Sequence, residues 1–159
     1  MNKPGSLREL LALALPELAR DPDRLLVFID KGSLRCTFAA GQSFEYSYTL
    51  TILITDFGGH PDAVFVPLLD WIRVHQSELL ASEKNRDSIA FECDVLANDK
   101  VDFQISLPLT ERVGVHRQGD GTVLVEHYPE PVMEEAFPAK HWQLYMKDEL
   151  VAEWDAPGG

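Results

Sequence analysis

Asp56, His60 and Asp62 fall within seven consecutive residues. Two carboxylates and an imidazole at that spacing can ligate a divalent metal or supply a general base. The plainer reading is structural. Asp56 then caps a turn, His60 is a solvated loop residue, and Asp62 stands in the first turn of a helix, where an acid suits the dipole. The other histidines, His75, His116, His127 and His141, are scattered. Glu92, Asp94 and Asp102 share the polar side of a hairpin pattern and could converge on a cation, yet like-spaced acids are also what a wet strand face looks like. The two cysteines, Cys36 and Cys93, alternate with apolar residues. They are expected to be buried free thiols, packed as small hydrophobes. No serine or cysteine stands in a Gly-x-Ser-x-Gly setting. There is no phosphate loop and no dinucleotide fingerprint; Gly58-Gly59 alone signals a loop. The expected catalytic, cofactor-binding and metal residues are therefore none.

The elements that would position such residues follow from composition and periodicity. A chain of 159 residues, 45% apolar and 25% charged, can bury one proper core. Its net charge is −12, and residues 120–159 hold nine acids against two bases. Lysines and arginines do not cluster, so direct nucleic-acid binding is not expected, because that needs cations to displace phosphate counterions. No apolar run approaches the roughly 20 residues of a membrane helix. Glu9 and Glu17 interrupt the leucine-rich N-terminus, so neither a signal peptide nor a membrane partner is expected, and the site of synthesis is expected to be cytoplasmic.

The clearest pattern is Ser43-Phe-Glu-Tyr-Ser-Tyr-Thr-Leu-Thr-Ile-Leu-Ile-Thr-Asp56. Phe44, Tyr46, Tyr48, Leu50, Ile52 and Ile54 take one face; Glu45, Thr49 and Thr51 are among those on the other. This is one amphipathic strand of roughly 45 Å, far longer than the usual strand of about 5–6 residues. Its surplus predicts contact with another subunit through Glu45, Tyr46, Tyr48, Thr49 and Thr51. Thr49→Lys and Thr51→Lys are expected to fold yet impair assembly.

Around that strand, Ser6-Leu-Arg-Glu9 reads as a capping box opening a helix that Pro16 kinks or ends. Leu25–Asp30 and Ser33–Ala40 read as two strands joined by a Lys31-Gly32 hairpin turn. A helix is expected from after Pro61 to about Glu83, its regular part starting late because of Pro67. A half-buried hairpin follows, Ile89–Val95 and Val101–Thr110, turning at Asn98-Asp-Lys100. A weak strand covers Thr122–Tyr128, and residues 132–159 form a peripheral acidic and aromatic arm or hairpin. The expected fold is α+β: a mainly antiparallel sheet with two flanking helices.

Seven ordered segments carry a resemblance. They are Met1–Pro4 with Ser6–Arg8; Phe28–Asp30 with Gly32-Ser33; Phe44–Leu50; Asp56-Phe57; Pro67–Trp71; Leu107–Val113; and Glu130-Pro131. Together they resemble the phage tail completion protein R (GpR) family of contractile-tailed phages and prophages, over residues 1–131. The resemblance implies a structural virion protein without catalysis or cofactor, acting at the head-proximal end of the tail in tail completion and head–tail joining. It implies a tail-terminator-like fold and a ring of copies of itself, a hexamer, whose partners are tail tube, sheath and connector proteins. It places the protein in the host cytoplasm during assembly and in the virion tail afterwards. Two other readings stand beside it: a monomeric assembly adaptor or chaperone, and a small metal-dependent hydrolase built on the Asp56–His60–Asp62 corner.

Overall fold

The computed structural model describes residues 1–36, 41–96, 99–131 and 137–157. Two helices open the chain, α1 (Lys3–Ala14) and α2 (Pro16–Arg20). Two strands follow, β1 (Leu25–Cys36) and β2 (Phe44–Phe57), then helices α3 (Asp62–His75) and α4 (Glu78–Ala81). Next come β3 (Ala90–Val95), β4 (Val101–Arg117) and β5 (Val123–His127). A separate pair, β6 (His141–Met146) and β7 (Glu149–Asp155), ends the described chain.

The sheet runs β1-β2-β4-β3, with β5 also pairing β4 and every pair antiparallel. Period-2 alternation aims Leu50, Ile52 and Ile54 of β2, and Phe103, Ile105, Leu107 and Leu109 of β4, into one core. Leu7 and Leu11 of α1 and Val64, Leu68, Trp71 and Ile72 of α3 close over that face. The fold is thus the expected α+β arrangement.

The β6-β7 hairpin turns at Lys147-Asp148, with Lys147 at φ 55°. It packs against α1 and α3 rather than joining the sheet. Ala152 and Trp154 of β7 belong to the same buried cluster as the sheet residues, and Trp154 Nε1 donates to Asp70 Oδ2 at 3.2 Å.

Several local expectations are corrected. Lys31-Gly32 is not a turn. The 14-residue β2 templates all of β1, and the break is a bulge between Ile29 and Lys31. Residues 37–40 of the expected second strand, Asn98 of the expected turn and residues 132–136 of the arm lie outside the described residues. Ser6 caps nothing: α1 starts three residues earlier, and the Ser6 hydroxyl instead accepts a hydrogen bond from Trp71 Nε1 at 3.0 Å. Helix α3 starts at Asp62 and runs through Pro67. Losing one N–H costs about 3 kcal/mol. Burying Val64, Leu68, Trp71 and Ile72 on one face returns roughly 2 kcal/mol each. The helix ends at His75, not near Glu83, because Gln76 leaves it to cap the sheet. Strand β3 is exposed along its whole length rather than half-buried: α3 meets it through Phe65, edge-on to Phe91 with ring centroids 5.2 Å apart, yet every β3 residue stays open to solvent. Cys36 and Cys93 are accordingly exposed, not buried.

Candidate assembly surfaces

Strand β4 is 17 residues long, roughly 55 Å at strand rise. On its outer edge β3 covers it only as far as Ser106, and β5 begins only at Val113. Pro108 sits in the gap, where an N–H facing away from β2 has no strand to meet. Thr110, two residues on, points its backbone the same way. Its N–H donates to Gln76 Oε1 at 3.0 Å, and its carbonyl accepts from Lys3 Nζ at 2.7 Å. Side chains from two helical segments thus replace the missing strand.

This patch is fully satisfied. Lys3 Nζ spends its three donors on Gln76 Oε1, the Thr110 carbonyl and Glu130 Oε1, each at 2.7 Å. Gln76 Nε2 donates to Thr110 Oγ1 at 3.0 Å and to Glu78 Oε1 at 2.6 Å. Such a network stabilises when complete and becomes costly once a member is lost. His75 stacks on Trp71 at 4.6 Å beside it. Burial, reinforced by the Lys3 charge, pulls its pKa below the usual imidazole value.

A buried acid lies one residue further along. Glu111 Oε1 accepts the Tyr48 hydroxyl at 2.5 Å, and Glu111 Oε2 accepts the Asn2 N–H at 2.7 Å. A carboxylate at the start of α1 also suits the helix dipole. Burial first, then the hydrogen bond to Glu111 and its charge, pushes the Tyr48 phenol far above its ordinary value. His127 Nδ1 is buried 3.8 Å from Glu111 Oε2 and has no hydrogen bond among the described residues.

The five expected interface residues separate. Glu45, Tyr46 and Thr49 are half-buried. Tyr46 meets Phe44 edge-on with ring centroids 5.0 Å apart, and Glu45 lies 3.9 Å from Arg35. Tyr48 is core. Thr51 does not face solvent as expected: it is 1% exposed, and its hydroxyl donates to the carboxylate of Asp30, the extra residue at the β1 bulge.

The acidic corner does not assemble a metal cradle among the described residues. His60 Nδ1 accepts the Asp62 N–H at 3.2 Å, while Asp56, at φ 52°, gives its own N–H to Asp102 Oδ1 at 2.8 Å. Glu92 and Asp94 lie on β3, where Asp94 is the register partner of Asp102. Near the opposite end of the sheet, Arg35, Glu45, Arg112 and Tyr128 line a shallow open depression of about 300 Å³. Tyr128 lies over Gly114, where a Cβ would meet its hydroxyl oxygen at 2.3 Å.

Residues 1–131 match the family model described as P2 phage tail completion protein R (GpR). The chain belongs to this family. It is 38% identical over 156 residues to the tail completion protein R of Escherichia phage P2, covering 98% of this chain and 99% of that one. No solved structure matches. The chain is a phage tail completion protein, a structural component of the tail. Among the described residues, no helix is long and apolar enough to cross a membrane.

Four of the seven segments that carry the family resemblance meet at the two networks. Met1–Pro4 brings Lys3, Phe44–Leu50 brings Tyr48, Leu107–Val113 brings Thr110 and Glu111, and Glu130-Pro131 brings Glu130. None of these contacts follows from periodicity, because the partners are 63 to 127 residues apart. Gln76 carries no sequence signal. The usable one was Pro108, which marks where strand pairing must lapse.

Proposed function

We propose that this GpR protein acts at the head-proximal end of a contractile tail, as a non-catalytic ring that closes the tube and sheath and makes the tail competent to join a filled head. The observation that carries this is the family match over residues 1–131, together with a relative aligned along nearly the whole chain. A ring of like subunits needs two different patches per copy, and the exposed edge strands β1 and β3 are suited to that. A hexamer would match the symmetry of a tail tube. The net charge of −12 supports an acidic passage through which DNA moves without sticking. Tube, sheath and connector proteins are its partners, met in the host cytoplasm before it takes its place in the virion tail. Glu45, Tyr46 and Thr49 contribute contact surface in this reading, while Tyr48 and Thr51 hold the strand that presents them. Residues 1–131 are the tail completion unit in this reading and residues 132–159 an accessory C-terminal segment, within which His141–Met146 and Glu149–Asp155 pair as a hairpin.

The test is deletion of the gene in the phage or prophage that carries it, followed by electron microscopy of the lysate. Separate filled heads and unjoined tails are expected, with joined virions restored by the gene in trans. Normal virions without the protein would overturn the reading. Light scattering on the purified chain and mass spectrometry of virions then decide ring against monomeric adaptor.

A further inference from the structure

The sheet has three edge strands, β1 on one side and β3 and β5 on the other, and β1 and β3 are unlike. Beyond the bulge, residues 31–36 of β1 are all exposed, and so is every residue of β3. Both are exposed six-residue segments, with Phe65 of α3 touching Phe91 of β3 edge-on, and unpaired strand edges invite addition of another strand. Their patterning is complementary. Register places Lys31, Ser33 and Arg35 on the outer face of β1, opposite Thr49, Ser47 and Glu45. It places Glu92 and Asp94 on the same outer face of β3, opposite Gln104 and Asp102. The inner face carries Leu34 and Cys36 on one edge, and Phe91, Cys93 and Val95 on the other. Leu34 is 60% exposed, Phe91 58% and Val95 80%.

We propose that the β1 edge of one copy, Lys31–Cys36, adds antiparallel to the β3 edge of the next, Ala90–Val95, so that the sheet continues from copy to copy. Direction agrees: β1 and β3 run opposite ways within one subunit, so a neighbour related by rotation presents β1 antiparallel to β3. Lys31–Cys36 lies level with Pro108–Val113 and Ala90–Val95 with Val101–Ser106, so the ring axis is inclined to the strands, which supplies the stagger that brings the two edges together. Faces agree, because cations meet carboxylates on the outer side while Leu34 meets Phe91 and Val95 on the inner side. Arg35 has only a loose contact with Glu45 at 3.9 Å, its side chain 83% exposed, which leaves the guanidinium within reach of a partner. The joint is head-to-tail, so an open chain of copies keeps a free β1 edge at one end and a free β3 edge at the other until a ring closes. This inference rests on the ring reading above and names the surfaces that make the ring.

The chain's two cysteines report on it. Both are exposed, one on each edge and both on the inner face. Directly opposite residues have Cβ atoms about 5 Å apart, and diagonal ones about 7 Å. A short bismaleimide on the full-length protein, purified and in assembled tails, is expected to give a ladder of covalent oligomers. Cys36→Ser alone and Cys93→Ser alone should give none, and their mixture only dimers. A dimer from either variant alone means a symmetric contact and overturns the proposal. So does the absence of a wild-type ladder in assembled tails. Lys31→Glu with Arg35→Glu should abolish the ladder, and adding Glu92→Lys with Asp94→Lys should restore it; a ladder indifferent to all four also overturns it. Plating separates the two readings. Loss of the ladder with normal tail completion removes only this interface, whereas virions that form without the protein remove the tail role.

Discussion

Lys3 Nζ lies 2.7 Å from Glu130 Oε1, joining residues 127 positions apart at the gap between β3 and β5. The same ammonium holds Gln76 and the Thr110 carbonyl. Lys3→Ala is expected to cost about 2 kcal/mol, because it strands a part-buried carboxylate and a part-buried carbonyl together. Urea unfolding checks this: the midpoint should fall with the slope unchanged. A loss below about 0.5 kcal/mol would mean that solvent replaces the ammonium at no cost, as at an exposed pair.

Tyr48→Phe leaves Glu111 with the Asn2 N–H but without the hydroxyl. A hydrogen bond to a charged group contributes about 2 kcal/mol, and that is the expected loss near neutral pH. The pH dependence adds a second readout. The folded phenol holds its proton above the ordinary value of about 10. Its contribution is therefore complete below that value and is lost as pH rises above it, where the unfolded phenol ionises. Wild type should lose stability faster than Tyr48→Phe above pH of about 10. Parallel stability curves there would refute the account.

What was legible in the sequence depended on range. The long strand β2 was readable because alternation from Phe44 to Ile54 is local and a covered sheet face enforces it. The β1 break was misread because Lys31-Gly32 has turn chemistry, while the pairing that keeps it extended comes from β2. The same holds for Pro67, whose local cost is outweighed by burial visible only in three dimensions. Family resemblance pointed to Lys3, Glu111 and Glu130 as members of recurrent segments. Only the fold explains their company: the β4 edge needs side-chain partners exactly where no strand covers it.

Trp154 joins the terminal hairpin to the main body, burying its ring in the shared core and donating to Asp70. Trp154→Ala is expected to cost about 3 kcal/mol. Truncation after Pro131 should lower the melting temperature further, since Ala152 is lost as well. Calorimetry on both proteins tests this. A truncated chain that melts like wild type would make residues 132–159 dispensable for folding.

His141 and His75 should titrate in opposite directions. His141 is exposed; its hydrogen bond to Asp155 raises its pKa above the usual imidazole value, desolvation opposes this, and the charge of Asp155 with the hydrogen bond and charge of Glu153 adds to the rise. A raised folded value means that the contact helps fully below the unfolded value of about 6.5 and is lost as pH rises through the folded one. For His75 burial dominates and lowers the value. Its neutral form belongs to the fold, so its contribution is complete above the unfolded value and is lost as pH falls through the folded one. Proton NMR of the imidazole resonances reads both. Asp155→Asn should bring His141 down toward its ordinary value and leave His75 unmoved, because Asp155 lies on β7 and does not enter the Lys3 network. A His141 resonance indifferent to Asp155→Asn would show that the β6-β7 ion pair does not form in solution.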